Sequence, residues 1–290
     1  MRAAPAPESM RLLPSSTTMR IQFTKMHGAG NDFVMIDNRS GALSLTTRQI
    51  AALCDRHFGV GADGVLLLEQ PQDTATADAR MVYFNADGSR AEMCGNGARC
   101  FTAFALARGV GTPARLRFVT DAGPMTALVR DGQITIAMTA PKDLRVGATL
   151  TLKSGTATVH HVNTGVPHAV KFVDDVSKVD IRPEGSELRF HAAWGPKGAN
   201  ANFAQIRSGA PVLVRTYERG VEDETLACGT GVTAVGILAH LVHGVPLPVQ
   251  VQVAGGDVLQ VNCDARGDTL SNVTLTGPAV VVFTGEIDLA

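Results

Sequence analysis

The sequence predicts two duplicated domains that each combine β-strands with helices. At 290 residues, the chain is long enough for two domains of ordinary size. The segments Cys94-Gly-Asn-Gly and Cys228-Gly-Thr-Gly each open an apolar helical pattern. Each of these cysteines lies eleven residues after a tyrosine in a strand-like segment, Tyr83 or Tyr217. One short match of this kind can arise by chance, so the duplication needs a second, independent match.

That second match lies upstream of each cysteine. The stretch Gly28-Ala-Gly-Asn-Asp-Phe-Val-Met-Ile-Asp pairs with Gly165-Val-Pro-His-Ala-Val-Lys-Phe-Val-Asp. Both matches recur in the same order and at nearly the same separation, which indicates an internal duplication. The boundary between the two copies is expected near Thr139-Ala-Pro, after the last strand of the first half.

Composition narrows the class of protein. The formal net charge is -1 and the lysines and arginines form no block, so no nucleic acid or anionic membrane is expected as a partner. No apolar run approaches the roughly 20 residues of a membrane span. Residues 1–18 are rich in Ala, Pro and Ser and lack the apolar core of a secretory signal, which predicts a disordered extension. Five cysteines without a disulfide pattern favour a reducing, cytoplasmic setting.

In the first half, strand-like runs alternate with two helical patterns. Thr46 can cap a helix that runs through Ile50 to His57, and a second helix is expected from about Asn96 to Arg108. The sequence Asn85-Ala-Asp-Gly is a strong turn signal. The predicted strands are Ile21 to Met26, Phe33 to Ile36, Leu66 to Leu68, Met81 to Phe84, Arg115 to Thr120, Met125 to Val129 and Gln133 to Met138.

The second half repeats this pattern with fewer clear signals. One helix is expected from about Thr230 to Val242. The predicted strands are Val170 to Val173, Val212 to Tyr217, Val249 to Val253, Val258 to Asn262 and Val280 to Thr284.

The two Cys-Gly-x-Gly turns carry the candidate chemistry. A cysteine at the start of a helix lies near unpaired N–H groups and the positive end of the helix dipole. Both effects favour the thiolate and are expected to lower the pKa of Cys94 and Cys228 from about 8.5 towards neutrality. The same N–H groups can bind a carboxylate. One four-residue turn therefore offers a reactive thiol and a carboxylate site together.

Two facing copies of this turn fit one reaction, the inversion of an amino-acid Cα. If the duplicated domains face each other, one thiolate can remove the α-proton while the opposite thiol donates a proton to the other face. The carbanion that develops must be stabilised by fixed dipoles in a dry cleft. No nucleotide-binding loop and no metal-ligand spacing occurs in the sequence, so no cofactor and no metal are expected. The remaining cysteines, Cys54, Cys100 and Cys263, are interpreted as buried core residues.

At these positions the sequence resembles the diaminopimelate epimerase family over almost the whole chain from Met19. Five motifs occur in order: Gly28-Ala-Gly-Asn-Asp-Phe33, Asn85-Ala-Asp-Gly-Ser89, Cys94-Gly-Asn-Gly-Ala-Arg-Cys100, Glu218-Arg-Gly220 and Ala227-Cys-Gly-Thr-Gly231. The resemblance implies conversion of LL-2,6-diaminopimelate to the meso form without pyridoxal phosphate. This reaction serves lysine and peptidoglycan precursor biosynthesis, and the resemblance suggests a cytoplasmic homodimer.

The resemblance also implies the architecture. It predicts an α+β fold of two pseudo-symmetric domains, each a β-barrel-like sheet wrapped around a central α-helix. The last strand would return to the first domain. The N-terminal domain then comprises residues 19–138 and 277–290, and the C-terminal domain comprises residues 139–276.

Carried over residue by residue, the resemblance makes Cys94 and Cys228 the acid and the base. It assigns the reacting carboxylate to the N–H groups of Gly95, Asn96, Gly229 and Thr230. It assigns substrate binding to Asn31, Asn85, Asn200, Glu218 and Arg219. His168 would support the proton transfer or orient the α-ammonium group. Arg219 suits this scheme, because a guanidinium can bind the distal carboxylate through two hydrogen bonds.

Some alternatives stay open at the level of sequence. Arg219 could instead form a surface ion pair with Glu222 or Asp223, Asn31 and Asn85 could serve only in turns, and His168 could be a loop histidine. Many family members have Asn where this chain has Val166 and Gln where it has Gly64, so distal recognition differs here. A related proline or hydroxyproline racemase, or a non-catalytic ligand-binding relative, are the rival functions. Asn96 and Arg219 argue against the racemase, in which His replaces that Asn.

Overall fold

The architecture was analysed in a computed structural model, which describes residues 19–266 and 269–289. The extension predicted for residues 1–18 lies outside the described residues. The described chain forms eighteen β-strands and four α-helices. The strands of the first half are β1 (Met19–Gly28), β2 (Asn31–Asp37), β3 (Gly64–Glu69), β4 (Ala79–Asn85), β5 (Arg90–Ala91), β6 (Arg115–Thr120), β7 (Gly123–Arg130) and β8 (Gln133–Ala137).

The remaining strands follow in the second half and at the C-terminus. They are β9 (Lys142–Leu152), β10 (Gly155–Asn163), β11 (Pro167–Phe172), β12 (Asn200–Gln205), β13 (Val212–Glu218), β14 (Asp223–Thr225), β15 (Val249–Gln252), β16 (Val258–Arg266), β17 (Thr269–Gly277) and β18 (Val280–Leu289). The helices are α1 (Thr47–Cys54), α2 (Gly95–Leu106), α3 (Ile181–Arg189) and α4 (Gly229–His243).

The strand pairings of the first half recur in the second. In the first half, β1 and β2 are antiparallel, β2 and β3 are parallel, and β3 and β4 are antiparallel. Strand β4 then runs parallel to β6, which continues into the antiparallel pairs β6–β7 and β7–β8. The second half follows the same sequence of pairings from β10 through β11, β12, β13 and β15 to β17. The fold is therefore an α+β duplication of two similar domains.

Two features connect the copies. The C-terminal strand β18 pairs with β1 of the first half along nine register positions from Met19 to His27. In the second half, the strand that pairs with β10 is β9. Strands β8 and β17 pair with each other, so the sheets of both halves are continuous. The domain limits at residues 139 and 277 stay a prediction.

Helices α2 and α4 lie at the centre of their respective halves. Most residues of both helices are buried, from Gly95 to Phe101 in α2 and from Gly231 to Ala239 in α4. A helix that is apolar on all sides is stable only when other elements surround it. Burial of each Val, Ile or Leu contributes about 1.5–3 kcal/mol relative to exposure, so the surrounding strands hold these helices in place. None of the described helices is long and apolar enough to cross a membrane.

Candidate active site

The N-termini of the two central helices meet, and a cysteine caps each of them. Cys94 is the N-cap of α2 and Cys228 is the N-cap of α4, and both have the extended backbone expected of a cap. The Asn96 side chain spans the junction, because its Nδ2 donates to the carbonyl oxygen of Ala227 at 3.3 Å. The two halves thus bring both thiols and both helix N-termini to one place.

The first turns of these helices present backbone N–H donors. In any α-helix, the first N–H groups have no acceptor within the helix. Here these groups belong to Gly95 and Asn96 in α2 and to Gly229 and Thr230 in α4. The positive ends of two helix dipoles add to the same field, so this junction is suited to a carboxylate.

Cys94 is held in a defined orientation by one donor and one acceptor. Its sulfur accepts a hydrogen bond from the backbone N–H of Gly97 at 3.5 Å. Its thiol donates to Oδ1 of Asn31 at 3.6 Å. Because an amide oxygen can only accept, this contact requires the protonated thiol. Cys94 is therefore a thiol.

The orientation of the Asn31 amide is fixed from its other end. Asn31 Nδ2 donates to Asp63 Oδ2 at 2.6 Å, so Oδ1 must face Cys94 and Asn96. Arg56 bridges Asp63 and Asp32, with its Nη2 2.9 Å from Asp63 Oδ1 and 2.8 Å from Asp32 Oδ1. Asn31 thus belongs to a connected polar network rather than to a turn alone.

Cys228 has a different environment from Cys94. Its Sγ lies 3.4 Å from Thr230 Oγ1, and no side-chain bond caps α4. A Cβ built on Gly231 would stand 3.4 Å from this sulfur and 2.6 Å from Asn202 Oδ1. Glycine is required at position 231, because any side chain would collide with the Asn202 amide.

The predicted lowering of the thiol pKa values is wrong. Burial raises the pKa of Cys94, and the N–H groups of Gly97 and Asn96 offset only part of this effect. Burial also raises the pKa of Cys228, and the neighbouring Glu218 carboxyl raises it further. Desolvation of a thiolate therefore outweighs the helix dipole at both helix starts. The helix dipole acts on each thiol locally, whereas the second half of the molecule excludes water from both.

Glu218 lies close enough to influence both thiols. Its Oε2 accepts a hydrogen bond from Thr225 Oγ1 at 2.8 Å. Burial raises the pKa of this carboxyl, an effect that the Thr225 hydrogen bond opposes. Burial thus raises the pKa of this carboxyl and of both thiols, and Glu218 acts on the thiols through its negative charge.

Arg219 is next to Glu218 and is free to bind an anion. Its backbone N–H donates to Asn200 Oδ1 at 2.8 Å, and Asn200 Nδ2 donates to the carbonyl oxygen of Pro167 at 3.2 Å. The acids that could compete for its guanidinium are paired elsewhere. Glu222 binds Arg189 at 2.9 Å and Asp223 binds Arg182 at 3.0 Å. In the described part of the chain, Arg219 makes no ion pair.

His168 is completely buried on β11 beside this group. Burial lowers the pKa of His168 to about 3, and the positive charges of His161 and Arg219 act in the same direction. Its Nδ1 lies 3.2 Å from Asn202 Nδ2, and its Nε2 has no partner among the described residues. The imidazole is therefore neutral, and one buried nitrogen remains available to a ligand.

His27, the other histidine near these motifs, has a structural contact. Its Nδ1 accepts a hydrogen bond from the Gly30 N–H at 3.2 Å. This bond stabilises the turn between β1 and β2, where Ala29 and Gly30 have positive φ values of 58° and 89°. This turn places Asn31 at the start of β2.

Gly64 and Val166, the two positions where this chain departs from the family pattern, carry no polar side chain. A Cβ on Gly64 would stand 2.5 Å from the Phe84 carbonyl oxygen and 2.7 Å from the Tyr83 ring, so this position has no room for a side chain. Val166 has no polar side-chain atom. Asn85, which pairs with Gly64 across β3 and β4, donates from Nδ2 to Ser89 Oγ at 3.1 Å.

Sequence reasoning missed two buried polar residues at the site. Arg99, inside the motif Cys94 to Cys100, is completely buried and donates from Nη2 to Asn96 Oδ1 at 2.9 Å. Asn202 binds His168 and lies against Gly231. A signal for Asn202 was present in the strand Asn200-Ala-Asn-Phe, because alternation places both asparagines on the same face.

The other thiols lie in the hydrophobic core. Cys54, Cys100 and Cys263 are all buried, and burial raises the pKa of Cys54 and of Cys100 to about 12. Over residues 19–266 and 269–289, no group of three or more His, Cys, Asp and Glu side chains is arranged to hold a metal ion.

Comparison with known proteins identifies the family. A sequence model described as diaminopimelate epimerase matches residues 23–143 and 160–282, one segment in each half. The chain belongs to the diaminopimelate epimerase family. It is 40% identical to the diaminopimelate epimerase of Chlorobaculum tepidum over 268 residues, which covers 91% of this chain and all of that protein. The corresponding protein of Aquifex aeolicus is 41% identical and covers 92% of this chain and 98% of its own length.

Solved structures extend the similarity of fold beyond the diaminopimelate epimerase family. A phenazine biosynthesis protein of the PhzF family from Bacillus anthracis superposes with a TM-score of 0.71 at 18% identity, over 93% of this chain and 99% of that one. A hydroxyproline epimerase from Agrobacterium vitis superposes with a TM-score of 0.68 at 17% identity, over 93% of this chain and 92% of that one. At these identities the likeness concerns the fold alone.

Proposed function

We propose that this protein is a diaminopimelate epimerase, an isomerase that interconverts LL-2,6-diaminopimelate and meso-diaminopimelate by proton transfer between two thiols. The observation that carries the proposal is the placement of Cys94 and Cys228 at the N-caps of two central helices that meet through the Asn96–Ala227 hydrogen bond. Identity of about 40% to epimerases over most of the chain supports the choice of substrate.

The substrate carboxylate at the reacting carbon binds between the two helix N-termini in this proposal. The N–H groups of Gly95, Asn96, Gly229 and Thr230 hold it there. As the α-proton leaves, negative charge spreads from Cα onto this carboxylate, and the fixed dipoles stabilise that charge without having to reorganise. The backbone thereby does the work that a bound electron acceptor does in other epimerases, so we propose that no cofactor is needed.

Substrate binding also prepares the thiols. Burial keeps the pKa of both thiols high. The α-ammonium group of the substrate brings a positive charge into this dry region, which favours a thiolate beside it. A thiolate whose pKa stays high is a strong base, and the opposite thiol is the acid. Asn31 holds Cys94 as a thiol, and Glu218 accepts or returns the proton that Cys228 exchanges.

The distal end of the substrate selects diaminopimelate over smaller amino acids. The unpaired guanidinium of Arg219 binds the distal carboxylate, and Asn200 holds the Arg219 backbone in position. Asn85 offers an amide oxygen from the first half. Because Gly64 and Val166 contribute no polar side chain, recognition of the distal end depends more heavily on Arg219 in this chain.

The rival functions make different demands on the same site. A racemase of proline or hydroxyproline has no distal carboxylate to bind, which leaves a half-buried, unpaired Arg219 without a role. A non-catalytic relative has no need for two cysteines in matched positions at two helix starts. The arrangement of Cys94, Cys228 and Arg219 therefore favours the epimerase.

We further propose that the enzyme is a cytoplasmic homodimer that acts in lysine and peptidoglycan precursor synthesis. In the described part of the chain, β18 pairs only with β1, so one edge of β18 offers unpaired backbone groups. Four consecutive residues on it, Val280 to Phe283, are 41–57% exposed. An exposed apolar edge strand of this kind supports a twofold contact with a second copy.

The activity is tested by incubating the purified protein with LL-diaminopimelate and no added cofactor, and by following the meso isomer. Wild-type protein should form it, and should leave L-proline and trans-4-hydroxy-L-proline unchanged. Cys94→Ala and Cys228→Ala should each lower kcat by about a hundredfold or more, since each loses an acid or a base. The matched control Cys100→Ala, on the same helix as Cys94, should retain activity. No turnover by wild-type protein, or near-normal turnover by either thiol variant, contradicts the proposal.

A further inference from the structure

The buried imidazole of His168 has one satisfied nitrogen and one unsatisfied nitrogen. Nδ1 lies 3.2 Å from the Asn202 side-chain nitrogen, whereas Nε2 is buried without a partner among the described residues. A neutral imidazole carries its proton on one nitrogen only, and the partner of the other nitrogen decides which one. The role of His168 in the site therefore depends on the orientation of the Asn202 amide.

The neighbours of Asn202 fix that orientation. One end of its amide lies 3.0 Å from the carbonyl oxygen of Ala169 and 3.4 Å from that of Asn200. Backbone carbonyl oxygens can only accept hydrogen bonds, so this end must be the NH2 group. The opposite end accepts a hydrogen bond from Thr216 Oγ1 at 3.0 Å. A flipped amide would place three oxygens together in a buried region, at a cost that the fold has no means to offset.

The position of the NH2 group determines the tautomer of His168. The NH2 group has two hydrogens, and its two shortest contacts are the Ala169 carbonyl oxygen at 3.0 Å and Nδ1 at 3.2 Å. An amide nitrogen cannot accept a hydrogen bond, so Nδ1 is the acceptor and the single proton of the neutral ring is on Nε2. We propose that Asn202 is a positioning residue that holds His168 as the Nε2–H tautomer, so that the imidazole donates a hydrogen bond to the molecule bound in the cleft. The reaction in which this donor acts rests on the proposed function, whereas the tautomer rests on the hydrogen bonds alone.

Asn202 is also in contact with the catalytic turn. The point where a Cβ would stand on Gly231 is 2.6 Å from Asn202 Oδ1 and 3.4 Å from Cys228 Sγ. In the β11–β12 register, His168 lies opposite Asn200, whose Oδ1 accepts from the Arg219 backbone N–H. The Asn202–His168 pair thus lies between the Cys228 turn and the Arg219 segment.

The tautomer can be read directly by NMR spectroscopy of protein labelled with ¹⁵N at histidine. Long-range ¹H–¹⁵N correlations distinguish a protonated from an unprotonated ring nitrogen, and a His168→Gln sample identifies the signals of His168. Wild-type protein should show Nε2 protonated and Nδ1 unprotonated. The Asn202→Asp variant replaces the donor by an acceptor, so the proton should move to Nδ1. The same change at an exposed strand position, Asn262→Asp, should leave the His168 signals in place.

Kinetics then test the role of the donor. Asn202→Asp should lower kcat for epimerisation by about tenfold or more, and Asn262→Asp should not. If His168 in wild-type protein is protonated at Nδ1, the proposal is overturned whatever the activity. It is also overturned if the Asn202→Asp variant has the switched tautomer and a normal kcat. Wild-type protein that shows the Nε2–H tautomer but does not act on diaminopimelate refutes the proposed function and supports the tautomer assignment. If Asn202→Asp fails to fold, the wild-type spectrum alone decides the tautomer.

Discussion

At the scale of single residues, burial decides the properties of the site more than local sequence does. The repeated Cys-Gly-x-Gly turns were sufficient to place Cys94 and Cys228 at helix starts, because the cap is a local feature. The direction in which the pKa of each thiol is shifted could not be predicted from the residues around it. It depends on water being excluded by the opposite half of the chain, which no window of sequence around either cysteine contains.

The same limit explains why Asn202 and Arg99 were missed. Each is a polar side chain within an apolar segment, and only the folded structure shows which buried partner satisfies it. Arg219 was predicted as a binding residue because its motif stands out, and that role stays a prediction. Its freedom from Glu222 and Asp223 became evident only from the pairing of those acids with Arg189 and Arg182.

One prediction at the residue scale concerns stability and pH. His168 has a pKa of about 3 in the folded protein, against about 6.5 in an unfolded chain. Between these values, the unfolded state binds a proton that the native state excludes, so this residue makes stability fall as the pH is lowered from 6.5 towards 3. Urea unfolding at pH 7.5 and pH 5 should show a smaller loss of stability in His168→Gln than in wild-type protein. The exposed control His57→Gln should behave as wild type, and an unchanged loss in His168→Gln would contradict the assignment.

At the scale of secondary-structure elements, strongly patterned segments were predicted well and weakly patterned ones were not. Helix α2 was expected from about Asn96 and begins at Gly95, and α4 was expected from about Thr230 and begins at Gly229. Strand β9 was not predicted, because most of its side chains are exposed and its alternation is weak. Helix α3 was missed because it contains Pro183 and Gly185. Proline is tolerated there because it lies in the first turn, where its missing N–H has no intrahelical acceptor.

A prediction at this scale concerns the contact of α4 with β16. A Cβ on Gly236 would stand 2.6 Å from Val261 Cβ and 2.7 Å from its Cγ2. An exposed glycine in a helix gains up to about 1 kcal/mol when replaced by alanine. Here Gly236→Ala should instead lower the free energy of unfolding by about 1–3 kcal/mol, because the extra methyl overpacks a close contact.

A double variant provides the matched control. The double variant, Gly236→Ala with Val261→Ala, should lose less free energy of unfolding than the two single variants lose in sum. The reason is that the smaller side chain at position 261 makes room for the new methyl group. Urea unfolding of the four proteins measures this coupling. Effects that add within about 0.5 kcal/mol would show that α4 and β16 are not in the close contact described.

At the scale of the whole molecule, the duplication was predictable and the connections between the copies were not. Two short matches in register were sufficient to indicate two similar domains. The pairing of β8 with β17, and of β18 with β1, brings together segments far apart in the chain. Neither pairing has a local signal, and the return of the last strand was expected only from the family resemblance. These long-range pairings hold the two helix starts at one site.

A prediction at this scale concerns the exposed apolar edge of β18. Val282→Lys places a charge in the stretch from Val280 to Phe283 and should convert a dimer into a monomer in light scattering coupled to size-exclusion chromatography. The matched control is Thr151→Lys, which places the same charge on β9 and should leave the dimer intact. Strand β9 pairs with β10 as β18 pairs with β1. Monomeric wild-type protein, or a dimer unaffected by Val282→Lys, would rule out this interface.

The central claim is that two thiols act on opposite faces of one carbon, and the fate of the α-hydrogen tests it most directly. Wild-type protein is incubated with LL-diaminopimelate in deuterated water, and the reaction is stopped early. Before reaction, both thiols exchange with solvent, so the donor thiol carries deuterium while the other thiol removes protium. The first meso product should therefore carry one deuterium at the inverted carbon, and the unreacted LL substrate should carry almost none. Meso product that retains protium at that carbon, or equal deuterium in substrate and product, would show a single base and contradict the account.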